Sequence, residues 1–314
     1  MNSPGAGDTL GSATGSTTSC PTSQVGIGGT CYKVTVTCPD VDPINPLVKV
    51  TSPSGTSKGT VVMMVGGGAD ALYEDPAIFT YGSVTVNTLV QAGFTTAQIA
   101  FETPPAGFLT GPGGPRKLAC RPATLSQWIH DNVAPPSTAF CGTGNSGGSG
   151  ALAYALGHYN LSQTFDMVEL TSGPVFSRID HGCECNQAPL TSSCSGSVTE
   201  CYGTNAQMFI DPAYTNSDCS NAETTHDTAN STLWLNDSLL SSDATLSFPH
   251  TTVHFVFGGQ DNGSGVAQGL DWMPLITAKG AVTAACVADA PHPIPNVLDG
   301  AQQIANDLIA MCHQ

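Results

Sequence analysis

Thr138-Ala139-Phe140-Cys141-Gly142-Thr143-Gly144-Asn145-Ser146-Gly147-Gly148 leads into a stretch marked by Ala151-Leu152, Ala155-Leu156 and Tyr159. A short apolar strand therefore passes through a glycine-rich turn into a helix with one apolar face. The turn holds Gly-x-Ser-x-Gly, from Gly144 to Gly148. In a chain with 35 glycines the pattern alone is weak, and its weight comes from its place between strand and helix. A sharp turn there forces the central serine into a strained backbone conformation, and small residues two positions either side avoid a clash. Such a turn lifts Ser146 Oγ out of the sheet edge, at a helix amino terminus that favours developing negative charge.

The same alternation extends in both directions. Upstream, Tyr32-Lys33-Val34-Thr35-Val36 alternates and Leu47-Val48-Lys49-Val50 follows a proline-rich turn, as antiparallel strands do. Thr60-Val61-Val62-Met63-Met64-Val65 is continuously apolar, the pattern of a central strand covered on both faces. A helix near Val84 to Ala92 leads to the strand Thr96 to Phe101, and a helix over 122–133 leads back to Thr138. Downstream come the strands Met167 to Leu170, Val253 to Phe257 and Ala281 to Val287, a connecting segment around Trp272 to Ala278, and a last helix with Val297, Ile304, Leu308 and Met311 on one face. Strand and helix in alternation make an α/β fold with a doubly wound, mostly parallel sheet, helices on both faces and function at the carboxyl ends of the strands. Residues 1–29, rich in Gly, Ser and Thr, read as a flexible tail. Residues 30–314 read as the main domain, interrupted by a Cys-rich insertion over 176–248.

The chain of 314 residues has 24 acidic against 8 basic side chains, for a net charge of −16. Its densest basic cluster is Arg116-Lys117 with Arg121, so nucleic acid and anionic membrane are excluded as partners. Twelve cysteines predict disulfides and an oxidising compartment, secreted or periplasmic. Cys183-x-Cys185, then Cys194, Cys201 and Cys219, lacks the paired spacing of a zinc ribbon. No run of about 18 apolar residues is present to span a bilayer. The opening Met1-Asn2-Ser3-Pro4-Gly5 has neither region of a signal peptide, as expected of a mature chain given a new initiator Met and equally of a cytoplasmic protein.

A serine hydroxyl needs a base, usually histidine, which a buried carboxylate orients. Val253 to Phe257 runs into Gly258-Gly259-Gln260-Asp261, which puts Asp261 just past a central strand; Asp180 is the reserve. Among eight histidines, His292 follows the last strand, in Ala290-Pro291-His292-Pro293, ahead of the last helix. An attacked carbonyl also needs fixed N–H donors. Gly147 offers one, and Gly66-Gly67-Gly68 offers another, with Gly67 the candidate. That run lacks the spacing of a P-loop or a dinucleotide site.

Taken together, these residues resemble the α/β-hydrolase superfamily: a glycine-rich oxyanion segment, a nucleophile elbow, an acid after a late strand, and a histidine before the final helix, in the order Ser146, Asp261, His292. The resemblance covers residues 31 to 314. Gly66-Gly67-Gly68 is similar to the triple-glycine segment of some esterases and lipases, although Val65 stands where many have His. The resemblance implies a serine esterase acting through an acyl-enzyme, without metal or organic cofactor, on an ester substrate such as an acylated polysaccharide, a lipid or a polyester. A serine peptidase with the same triad and a non-catalytic binding protein on the same fold are the rivals, and a monomer is favoured. It further implies that 176–248 forms a lid, and that Cys286 pairs with Cys312, because the last strand and last helix of this architecture are neighbours.

Overall fold

The computed structural model describes residues 7–21, 28–101 and 106–313. Its centre is the apolar run predicted to be covered on both sides. Val61, Met63 and Val65 pack with Val86 and Leu89 of the helix Gly82–Gln91 and with Ile304 and Leu308 of the helix Leu298–Met311. Val62 and Met64 face the other way, into a core shared with Leu125 of the helix Cys120–Asn132 and Leu152 of the helix Gly147–Gly157. Alternate side chains of one strand thus seed two cores, which is why the run has no polar face.

The described strands are β1 (Ser12–Thr18), β2 (Thr30–Thr37), β3 (Leu47–Thr51), β4 (Gly59–Met64), β5 (Thr95–Ala100), β6 (Ala139–Asn145), β7 (Met167–Thr171), β8 (Leu190–Ser192), β9 (Gly196–Val198), β10 (Ser247–Phe248), β11 (Thr252–Gly258), β12 (Thr277–Ala278) and β13 (Thr283–Val287). Nine of them form one sheet in the order β1-β2-β3-β5-β4-β6-β7-β11-β13. The β1-β2, β2-β3 and β3-β5 pairs are antiparallel, and every pair from β5 to β13 is parallel. This is the mostly parallel α/β-hydrolase sheet.

Three expectations are corrected. The tail over 1–29 lies partly outside the described residues, but Ser12–Thr18 are β1, paired with β2 along its whole length. Backbone pairing needs no apolar side chains, so the Ser/Thr composition hid an exposed edge strand. Gly15 lets Trp128 lie directly against it, since a Cβ there would come within 2.4 Å of the indole. The helix between β11 and β13 is Ser264–Trp272, earlier than the segment expected around Trp272 to Ala278, which instead holds a 3₁₀ turn and β12. Burial of Val266, Ala267 and Trp272 holds that helix despite two glycines.

The third correction concerns the thiols. Cys286 pairs with Cys194, and Cys312 pairs with Cys141 on β6. Ala285 faces the core that includes the last helix, so its neighbour Cys286 points to the opposite face. The last helix lies against Gly82–Gln91, with Thr85 Oγ1 donating to the Ala301 carbonyl at 3.1 Å, and its end reaches β6 rather than the edge strand. Cys20–Cys31, Cys38–Cys120, Cys183–Cys219 and Cys185–Cys201 complete the set, leaving no free cysteine.

Between β7 and β10, the Cys-rich segment folds into short helices, among them Ile179–Glu184, Asp218–Thr225 and Ser231–Asp237, with the β8-β9 hairpin. Two disulfides close it internally, and Cys194–Cys286 fastens it to β13.

Candidate active site

Ser146 is the residue between β6 and the helix Gly147–Gly157, with φ 53° and ψ −115°. For a non-glycine residue this is a strained conformation, held here by bonds on both sides. The Ser146 N–H donates to the Thr171 carbonyl at 2.8 Å, and the Ser146 carbonyl accepts from Gly150 N–H at 3.0 Å. The flanking glycines are a steric requirement. A Cβ at Gly144 would lie 2.4 Å from the Gly148 carbonyl carbon, and one at Gly148 would lie 2.5 Å from the Val65 oxygen.

Past the end of β11, Asp261 is buried, and its Oδ2 lies 2.9 Å from His292 Nδ1. Its Oδ1 accepts from Gly263 N–H at 3.1 Å. Burial pushes the Asp261 carboxyl up, but the hydrogen bond and charge of His292, joined by the Gly263 N–H, outweigh it and hold the group below its ordinary value. The ionised carboxylate accepts, so Nδ1–H donates and Nε2 is the ring nitrogen left for proton transfer. The two loops are stitched together by Gly259 N–H to the Val287 carbonyl (2.8 Å) and Gln260 N–H to the Ala290 carbonyl (2.9 Å).

Ser146 and His292 line one open cleft of about 320 Å³. Ser146 Oγ has no hydrogen-bond partner among the described residues, so the serine–histidine bond is not made in this conformation. Catalytic hydrogen bonds are often loose without substrate. Asn145 bridges the two regions: its Oδ1 accepts from Ile294 N–H at 3.2 Å and from Thr171 Oγ1 at 3.0 Å.

Gly67 lies directly against Gly147, whose Cβ, if it had one, would be 1.8 Å from the Gly67 carbonyl oxygen. Neither the Gly67 nor the Gly147 N–H donates to a backbone carbonyl among the described residues. Gly67 takes φ +58°, and a Cβ there would also strike the Phe209 ring at 2.7 Å. Asp180, the reserve acid, is held instead by Arg178, whose Nε donates to its Oδ1 at 2.9 Å. His130, His158, His181, His226 and His254 are each engaged elsewhere, with Asp131, Ser238, Glu200, Glu184 and Asp307.

The walls around Ser146 were not assigned from sequence. Tyr202, Asn205, Met208, Phe209 and Ile210, all from the insertion, line the space beside it. Phe176 also lines that space, while Tyr73, Phe108, Trp234 and Trp272 lie in the core. Met208-Phe209-Ile210 is an apolar island in a polar insertion, the signal that could have found it.

The sheet, its helices and the strand-turn-helix at Ser146 define the α/β-hydrolase fold. Among solved structures, the chain is similar to dienelactone hydrolase from Anabaena variabilis at TM-score 0.51 and 15% identity, covering 90% of this chain and 95% of that one. It is also similar to an esterase from Pyrobaculum calidifontis (TM-score 0.55, 14% identity, 93% of this chain and 88% of that one). A carboxyl esterase from Bacillus coagulans gives TM-score 0.50 at 13% identity, over 89% of this chain and 97% of that one. No protein-family model and no curated relative matches the sequence.

Proposed function

We propose that this protein is a serine hydrolase that cleaves carboxylic esters through an acyl-enzyme. Ser146 Oγ attacks the ester carbonyl while His292 Nε2 takes its proton, and Asp261 keeps the imidazole in the required tautomer and stabilises its positive charge. The alkoxide that forms is stabilised by the N–H groups of Gly67 and Gly147, a contribution of about 3 kcal/mol per donor. Collapse breaks the bond to the alcohol, which leaves with the proton from His292. Water activated by the same imidazole then releases the acid.

The observation that carries this reading is the positive φ of Ser146 at the start of a helix, beside two glycine N–H groups without a backbone acceptor. Positive φ by itself is shared with Ser137 and Ser172; Ser146 combines it with ψ −115°, outside the ordinary left-handed region, at the head of a helix. The esterase and hydrolase names of the structural neighbours support the same class. With all described cysteines in disulfides, the setting is an oxidising, extracytoplasmic one. The insertion serves as a lid whose residues wall the site. Turnover of aryl esters beside matched aminoacyl amides tests the reaction: faster ester hydrolysis, abolished in His292→Ala, is expected. Amide turnover equal to or above ester turnover would point to a peptidase.

A further inference from the structure

Ser146 opens on two spaces of very different size, and the chemistry decides which part of the substrate enters each. The larger, about 320 Å³, is open and lined by His292, Pro293, Asp70 and Ile78. The smaller, about 30 Å³, is lined by Val175, Phe176, Tyr202, Ile210 and Ser264, and His292 does not reach it. Phe209 lines both and stands between them, with its ring against Gly67. In acyl transfer the proton taken from the serine must be handed to the departing alkoxide, so the alcohol part has to lie on the side of the imidazole. The acyl chain is then left with the smaller space.

Resting on the reading of Ser146 and His292 as nucleophile and base, we infer that the substrate is an ester of a very small acid, acetate first of all, with a bulky alcohol. The smaller space has about a tenth of the volume of the larger, so it takes a short acyl group and leaves the bulk of the substrate to the other side. The walls are held from behind. Tyr202 Oη donates to the Val175 carbonyl at 2.8 Å, Tyr202 N–H donates to the Gly182 carbonyl at 3.1 Å, and the adjacent Cys201 is tied to Cys185. Val175, Phe176, Tyr202 and Ile210 are all buried and fix the floor of the space, while the half-buried Phe209 and the exposed Asn205 stand at its border with the larger one. The alcohol side differs: Ile78 and Met208 at its rim are 37% and 42% exposed, an open apolar lip for a large leaving group.

The test is kcat/KM for a series of nitrophenyl esters from acetate to octanoate, with acetates of a large aryl alcohol and of an acetylated sugar alongside. The inference expects a fall of about 10-fold or more from acetate to hexanoate, with the bulky acetates still turned over. Ile210→Ala and, as a milder change, Val175→Ala should raise the hexanoate-to-acetate ratio. A flat or rising chain-length profile in a protein that hydrolyses esters overturns this inference alone, as does a ratio unmoved in both variants. No turnover of any ester overturns it together with the reading it rests on.

Discussion

Asn145 Oδ1 accepts the backbone N–H of Ile294 at 3.2 Å, joining the residue before Ser146 to the loop that carries His292 across 149 positions of sequence. The same oxygen accepts from Thr171 Oγ1, so one side chain registers the ends of β6 and β7 against the histidine loop. Asn145→Ala should lower kcat by about 10- to 100-fold through misplacement of the imidazole, with KM little changed. Equal effects on both constants, or none on kcat, would remove Asn145 as a positioning residue.

Asp261→Asn is expected to cost about 10³- to 10⁴-fold in kcat, because the amide favours the wrong tautomer of His292. The low proton affinity of Asp261 also has a sign in stability. A carboxyl held below its unfolded value contributes stability that is present above that value and lost as pH falls through the folded one. The stability difference between wild type and Asp261→Asn should therefore shrink between about pH 6 and about pH 3. Urea denaturation at the two pH values measures it, and a difference that grows on acidification would contradict the assignment.

Glu169 shows the opposite sign. It lies fully buried on β7, between Thr143 of β6 and His254 of β11 in register; Thr143 Oγ1 donates to its Oε1 at 3.0 Å, and its Oε2 has no partner among the described residues. Burial, reinforced by the charge of Asp307, pushes its carboxyl well up. Such a group supports folding while protonated in both states, and that support is lost as pH rises through the folded value. Glu169→Gln should gain stability relative to wild type between about pH 5 and about pH 8 in equilibrium unfolding. A relative loss over that range would show that Glu169 is ionised in the fold.

Cys194–Cys286 closes a separation of 92 residues between insertion and sheet, against 11 for Cys20–Cys31. Replacing both cysteines of the longer link by serine should cost about 2–4 kcal/mol, more than the shorter link, because more loop entropy returns to the unfolded chain. It should also weaken activity, since the insertion supplies Tyr202 and Ile210. Full activity with an unanchored insertion would mean that this segment does not shape the site.

What the sequence made legible follows from local physics. β4 could be read because its side chains fill two cores at once, and the turn at Ser146 because steric demands confine Gly144 and Gly148 to the smallest residue. Asp261 and His292 could be placed by their positions after strands. β1 could not, since its pairing is made by backbone and its side chains face solvent. The partner of Cys286 depended on which face of β13 it occupies, and the walls at Tyr202, Phe209 and Ile210 on how a polar, disulfide-held insertion folds back over the sheet. Those are long-range contacts, of which only the apolar island Met208-Phe209-Ile210 leaves a local trace in the sequence.

Every step proposed for this site requires Ser146 to be an activated nucleophile. Treatment with a fluorophosphonate, followed by peptide mass mapping, tests it most directly. A single phosphonyl adduct on Ser146 is expected, lost in Ser146→Ala and strongly slowed in His292→Ala. An unlabelled Ser146 in folded protein, or an adduct on another serine, would contradict it.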